Sequence, residues 1–147
     1  MELSKVIQDV ASFFKKKPPT PDTKGRFSIA FDKNLKVEFF EKSQSKDSFY
    51  IFGVIDEALK DTKEGTDLLK LVLQWNFARL KDQKETLSWD SDRERLVLFK
   101  EVAYDQLSET PITKHLEDFL NHLTFWNKVI KEGPNTTSTS PFSSRFQ

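Results

Sequence analysis

The chain has 147 residues, which is enough for one domain with a substantial hydrophobic core. Its 23 Lys and Arg residues balance 23 Asp and Glu residues, so no net charge draws it to nucleic acid or to a membrane surface. The absence of cysteine excludes disulfides, thiolate catalysis and zinc–sulfur sites. Because no signal-peptide pattern or membrane-length apolar run is evident, we expect a cytoplasmic protein.

Hydrophobic periodicity predicts an α+β fold, a twisted antiparallel sheet with helices packed on it. The predicted elements begin with a helix over 2–17 that has Phe13 on its apolar face, a hairpin of strands over 26–31 and 35–39 joined by the turn Asp32-Lys33-Asn34, and a strand over 48–55. A central helix over 66–80 and a second hairpin of strands over 85–90 and 95–101 follow. The last helix is predicted to have Thr110 as its N-cap, Pro111 as its first residue, Phe119 and Trp126 on its inner face, and Gly133-Pro134 as its end. Residues 1–133 would form one domain. The Ser/Thr-rich residues 134–147 lack periodicity and are predicted to be a flexible tail.

The central helix is apolar around most of its circumference. Thr66 and Asp67 are predicted to cap its start. One side carries Leu68, Val72, Trp75 and Arg79, and another carries Leu69, Leu73, Phe77 and Leu80. We expect one side to pack on its own sheet and the other to meet a second copy, although complete burial within a monomer is an alternative. The residues predicted for the dimer interface are Leu68, Leu71, Val72, Trp75 and Arg79.

The third strand is apolar on both faces. Phe49, Ile51 and Ile55 point one way, whereas Tyr50, Phe52 and Val54 point the other. Such a strand is either covered by two layers or presents one row to a protein partner. Phe40 would enlarge the second row.

Candidate catalytic and metal-binding groups are few. His115 and His122 lie seven residues apart with Asp118 between them, whereas helical metal pairs are usually four apart. Solvated histidines are therefore the preferred interpretation. The segment 90–101 starts like a calcium loop but has Arg95 where the turn needs glycine. We predict no catalytic residue, no metal and no cofactor.

Three segments resemble the class I chaperones of bacterial type III secretion, the family that includes the Tir chaperone CesT. They are LLKLVLQWNFARL at 68–80, FLNHLTFWNKVI at 119–130 and FGVIDEAL at 52–59. The resemblance covers about Leu3 to Ile130. The neutral charge and the Ser/Thr tail depart from the usual member.

The resemblance implies a homodimer formed through the middle helix. It also implies binding, without nucleotide, of the extended N-terminal region of a secreted effector, which is kept soluble and competent for secretion. The Phe125-Trp126 pair is similar to the ExsC-like branch, whose members also bind an anti-activator, and this regulatory role is an alternative. A small-ligand-binding or enzymatic α+β domain is an alternative from another class.

An effector strand could pair with the free edge of the first strand while its side chains enter neighbouring pockets. The predicted effector-binding residues therefore combine that strand with the apolar row of the third. They are Phe27, Ile29, Phe40, Tyr50, Phe52 and Val54.

Overall fold

The structure is a computed structural model that describes residues 2–32, 35–42, 46–55, 63–79, 84–93 and 95–132. Over these residues the order of elements is the predicted one, with one short 3₁₀ helix added. The elements are α1 (Leu3–Phe13), β1 (Phe27–Asp32), β2 (Leu35–Glu41), β3 (Ser48–Val54), α2 (Lys63–Ala78), β4 (Thr86–Asp90), β5 (Arg95–Ala103), the 3₁₀ helix (Tyr104–Ser108) and α3 (Ile112–Glu132).

The strands form one antiparallel sheet in the order β1-β2-β3-β5-β4. The predicted hairpins β1–β2 and β4–β5 are therefore confirmed, and β3 joins them in the centre. Its residue Ile51 pairs with Phe39 on one side and with Lys100 on the other. The edges of the sheet are β1 and β4.

The core lies between the sheet and the helices α1 and α3, on what we call the inner face of the sheet. Helix α3 crosses β3 at Gly53, where an added Cβ would lie only 2.7 Å from a Leu123 methyl group. Phe119 and Trp126 of the same helix are buried, as the periodicity of α3 predicted. Val6, Ile7 and Val10 of α1 join this core cluster.

Two predicted helix boundaries are wrong. Helix α1 ends at Phe13 rather than Lys17, because Lys15 adopts a left-handed φ of 56° and the Lys16 N–H turns back to the Ala11 carbonyl at 2.8 Å. Helix α2 is already formed at Lys63, so Thr66 and Asp67 lie inside it and do not cap it. Phe13, predicted for the inner face of α1, is 56% exposed.

Several sequence predictions fall outside the described residues. They concern Lys33-Asn34 of the first turn, Leu80, part of the segment 52–59, the helix stop at Gly133-Pro134 and the tail at 134–147. None of the helices in the described ranges is long and apolar enough to cross a membrane.

Candidate binding surface

Four aromatic rings cover the outer face of the sheet, opposite α1 and α3. Phe40 stacks on Phe52 at a centroid distance of 4.7 Å, and Phe52 stacks on Phe99 at 5.6 Å. Tyr50 lies beside both Phe40 (5.5 Å) and Phe99 (6.3 Å). The register explains the grouping, since Phe40 pairs with Tyr50 and Phe52 pairs with Phe99 on adjacent strands. We call these four residues the outer-face cluster.

The outer-face cluster is only half buried in the single chain. It forms part of the wall of a concavity of about 400 Å³. Polar residues at five other positions border the same concavity: Arg26, Glu38, Ser88, Asp90 and Arg95. A concave apolar surface with a polar rim is typical of a site that receives apolar side chains from a partner.

One end of the concavity is held by an ionic network around Glu38, which is 3% exposed. Arg95 Nη2 lies 2.7 Å from Glu38 Oε2, and Arg93 Nη1 lies 3.4 Å from Oε1. Arg95 Nε also donates to Asp90 Oδ2 at 3.0 Å. Burial works to raise the pKa of Asp90, but hydrogen bonds from Arg95 and from the Arg93 N–H outweigh it and hold this pKa below its usual value.

Next to the outer-face cluster, where Tyr50 pairs with Glu101, the Glu101 carboxylate accepts hydrogen bonds from Ser48 Oγ at 2.7 Å and from Lys42 Nζ at 3.4 Å. The Ser48 hydrogen bond is the main reason that the pKa of Glu101 lies below its usual value. Phe40 and Tyr50 also border a second, larger concavity of about 880 Å³. Its other walls come from the start of α1, the segment before β1 and the β2–β3 connection: Leu3, Lys24, Phe27, Glu41, Lys42 and Lys46.

The structure brings together four of the six predicted effector-binding residues. Phe40, Tyr50, Phe52 and Val54 share the outer face and are half buried.

Ile29 and Phe27, predicted as part of the edge strand that would pair with the effector, do not belong to that surface. Ile29 pairs with Val37 and is 5% exposed, and Phe27 pairs with Phe39. Both therefore lie on the inner-face side, where Phe27 packs against the core and reaches only the second concavity. The hairpin register places them there.

Phe99 is a member of the cluster that the predicted set omitted. The alternation of apolar residues in β5 contained the signal, because Val97 and Phe99 oppose Leu96 and Leu98. Sequence could not decide which of the two pairs faces the core. The structure buries Leu96 and Leu98 against α1 and α3 and leaves Phe99 half exposed.

The predicted dimer-interface residues lie mainly on the side of α2 that packs against its own chain. Val72 is 0% exposed and Arg79 is 6% exposed, so both are already buried within their own chain. Leu68 and Trp75 pack against the same core, and Leu71 is half buried. The exposed apolar side chains of this helix are instead Leu73, at 47%, and Phe77, at 78%.

Helix α2 is tied to the edge strand β4. Asn76 Oδ1 accepts a hydrogen bond from the Leu87 N–H at 2.9 Å. Phe77 follows Asn76, and Trp89, which is 45% exposed, lies two residues beyond Leu87. The exposed residues Phe77 and Trp89 are thus close in sequence to Asn76 and Leu87, whose hydrogen bond joins α2 to β4.

The two histidines are not both solvated, contrary to the sequence interpretation. His115 is 8% exposed, with its Nδ1 3.2 Å from Lys100 Nζ, and His122 Nδ1 lies 3.1 Å from Glu85 Oε1. Within the described residues, His, Asp and Glu side chains form no group of three that could hold a metal ion.

With the fold and this surface in place, comparison with known proteins identifies the class. The model of the Tir chaperone protein (CesT) family matches residues 5–127, which is most of the chain. The protein therefore belongs to the CesT family of type III secretion chaperones. No curated protein sequence matches it at a significant level.

Solved structures share the fold at low sequence identity. The HopA1–SchA chaperone–effector complex contains a chain that is 13% identical with a TM-score of 0.67, over 86% of this chain and 94% of that one. A chain of the ExsC–ExsE complex is 15% identical with a TM-score of 0.64, and the match covers 93% of this chain and 100% of that one. A chain in the structure of the Yersinia pestis type III secretion chaperone SycH with a stable fragment of YscM2 is 14% identical, with a TM-score of 0.55. This match covers 83% of this chain and 97% of that one.

Proposed function

We propose that this protein is a cytoplasmic, non-enzymatic type III secretion chaperone that binds an extended segment of a secreted effector on the outer-face cluster. The observation that carries the proposal is the half-buried group Phe40, Tyr50, Phe52 and Phe99 on a fold of the CesT family. Structurally similar chains occur in complexes with HopA1, ExsE and YscM2, which supports a polypeptide as the partner.

The physics of binding a disordered client favours a surface of this kind. Ordering an extended segment costs conformational entropy, so a large apolar contact must offset it. Each buried aromatic side chain removes roughly 150–250 Å² from water, and the outer-face cluster offers four neighbouring rings. The free edge of β1 can add a strand of the client beside the second concavity.

The test is a pull-down from the native host with wild-type protein and the Phe52→Glu variant, followed by mass spectrometry. Phe52 faces outward, so we expect the variant to keep its circular dichroism spectrum and to lose the client. Gln8→Glu is the matched control, because Gln8 is exposed on α1, which covers the opposite face of the sheet, and does not border either concavity. It should retain the client.

Two outcomes would contradict this assignment. Unfolding of Phe52→Glu would show that the ring is covered within its own chain, because an unpaired charge in a core exceeds what marginal stability allows. A folded variant that captures its client normally would show that the client binds elsewhere. The identity of the captured protein, a secreted effector or an anti-activator, separates the chaperone from the ExsC-like regulatory alternative.

We also propose a homodimer through the exposed side of α2. Leu73 and Phe77 are four residues apart and so lie on one helical stripe, and their exposure within a single chain supports an intermolecular role. Phe77→Glu should give a folded monomer by light scattering. The neighbouring exposed substitution Gln74→Glu should remain dimeric, and a dimeric Phe77→Glu would place the interface elsewhere.

A further inference from the structure

A buried polar cluster lies between α3 and the β4–β5 end of the sheet, apart from the proposed client surface. Lys100, 6% exposed, extends from the inner face of β5, and Glu85, 5% exposed, precedes β4. Each meets one histidine of α3: Lys100 Nζ lies 3.2 Å from His115 Nδ1, and His122 Nδ1 lies 3.1 Å from Glu85 Oε1.

We propose that the hydrogen bond between Lys100 and His115 stabilises the packing of α3 on β5 in an acid-sensitive way. This interaction weakens when His115 gains a proton. An ammonium group has donors only, so a hydrogen bond between Lys100 and Nδ1 requires a neutral imidazole whose proton is on Nε2. A protonated imidazole carries donors on both nitrogens. The two groups would then face each other as buried positive charges, with no acceptor between them.

The surroundings of His115 do not compensate for that second charge. Its Nε2 has no hydrogen-bond partner among the described residues. The charged groups that act on it are Lys100 from β5, Lys84 and Glu85 from the segment before β4, and Asp118 from α3 itself. Glu85 is already bonded to His122, and Asp118 is bonded to Lys114 at 3.0 Å. Burial and then Lys100 accordingly lower the pKa of His115.

The sign of the pH dependence follows from linkage. The folded state resists protonating His115, whereas the unfolded state takes up this proton as the pH falls through about 6.5. Stability from this contact is therefore complete above pH 6.5 and is lost as the pH falls toward the lower folded pKa.

Thermal unfolding of the full chain at pH 7.5 and pH 5.5 tests the proposal. We expect the wild-type Tm to fall on acidification, and His115→Gln to reduce that fall by about 3 °C or more. Glutamine can still accept from Lys100 but does not titrate. His122→Gln is the matched control, because it removes the other histidine of the chain and leaves the Lys100–His115 contact in place, and the fall should persist in it.

Histidine NMR titration supplies a second readout that a purely structural role would not move. The chain has only two histidines, so each single variant leaves one signal to assign. His115 should titrate below its ordinary pKa in wild type and move upward in Lys100→Met, which also reduces the acid-induced fall in Tm. If His115→Gln does not fold, the acid-induced fall in Tm of Lys100→Met tests the proposal instead. An unchanged fall in Tm in the folded variant, or an ordinary His115 titration, would overturn the proposal.

Discussion

The two faces of the sheet are built from the same kinds of residue but differ in what covers them. On the inner face, Phe49 and Ile51 of β3 are 0% exposed beneath the helices. On the outer face, Phe52 of the same strand stacks only on its ring neighbours and remains half exposed. One strand therefore contributes fully buried side chains to the core on its inner face and partly exposed rings to its outer face. The proposed client contact would cover these outer rings.

The largest expected effect comes from truncating matched phenylalanines on the two faces. Phe49→Ala should lower the free energy of unfolding by about 3–5 kcal/mol, because it leaves a cavity in a closed core. Phe52→Ala should cost less than half as much, since its ring is already partly in water. Urea denaturation of both variants measures the difference. Equal losses would mean that the outer face is as closed as the inner one.

A tighter probe of the inner face is Gly53→Ala. The new methyl group would lie 2.7 Å and 2.8 Å from the two Leu123 methyls and 3.1 Å from Phe119 Cε1, so α3 must shift. We expect a loss of about 1–3 kcal/mol from overpacking. In Gly53→Ala/Leu123→Val, the removed methylene should restore part of this loss. No restoration would place the strain in the backbone of β3 rather than against α3.

On the outer face, Glu38→Gln tests the network at the end of the concavity. The carboxylate is nearly buried between Arg93 and Arg95, so its neutralisation should cost about 1–2 kcal/mol in thermal or urea unfolding. The loss should be smaller in an Arg95→Gln background, where a partner charge is already missing. Full additivity would show that Arg95 and Glu38 do not act together.

The smallest effect is expected at Glu101, whose side chain is 43% exposed. Ser48 and Lys42 depress its pKa, so the carboxylate contributes stability above its ordinary pKa of 4.5, and this is lost as the pH falls through the depressed value. Ser48→Ala should return this pKa toward 4.5 and change stability at neutral pH less than the three substitutions above. Carboxyl NMR titration measures the shift. An unchanged pKa in Ser48→Ala would assign the depression to Lys42.

Hydrophobic periodicity was sufficient to predict the order of helices and strands and the two opposite rows of side chains on β3. Alternation separated Phe49 and Ile51 from Tyr50 and Phe52, although it could not say which row faces the core. That choice depends on α3, and Gly53 beneath Leu123 shows where the helix lies. The same limit applied to α2, where apolar residues lie on both sides of the helix. The pattern could not show that Val72, predicted for the dimer interface, is buried within its own chain.

Contacts between residues distant in sequence could not be predicted from hydrophobic periodicity. Hairpin register decided that Ile29 lies opposite Val37 on the inner-face side, away from Phe52. The burial of His115 depends on Lys100, fifteen residues earlier, which is placed beneath α3 by its pairing with Ile51. A lysine within an apolar strand and a histidine on a helix face show no such connection in sequence, because each is common on a solvated surface.

The Asn76–Leu87 hydrogen bond has a consequence for how many chains can associate through the sheet. Alternate N–H groups of a strand point away from its neighbour, so in the five-residue β4 the outward donors are those of Leu87 and Trp89. Asn76 occupies the first of them. Open-ended filament growth needs two adhesive edges on every subunit, and this sheet offers β1 but obstructs β4. If a client strand adds to β1, as proposed, the partly obstructed edge at β4 would oppose further extension of the sheet on the other side.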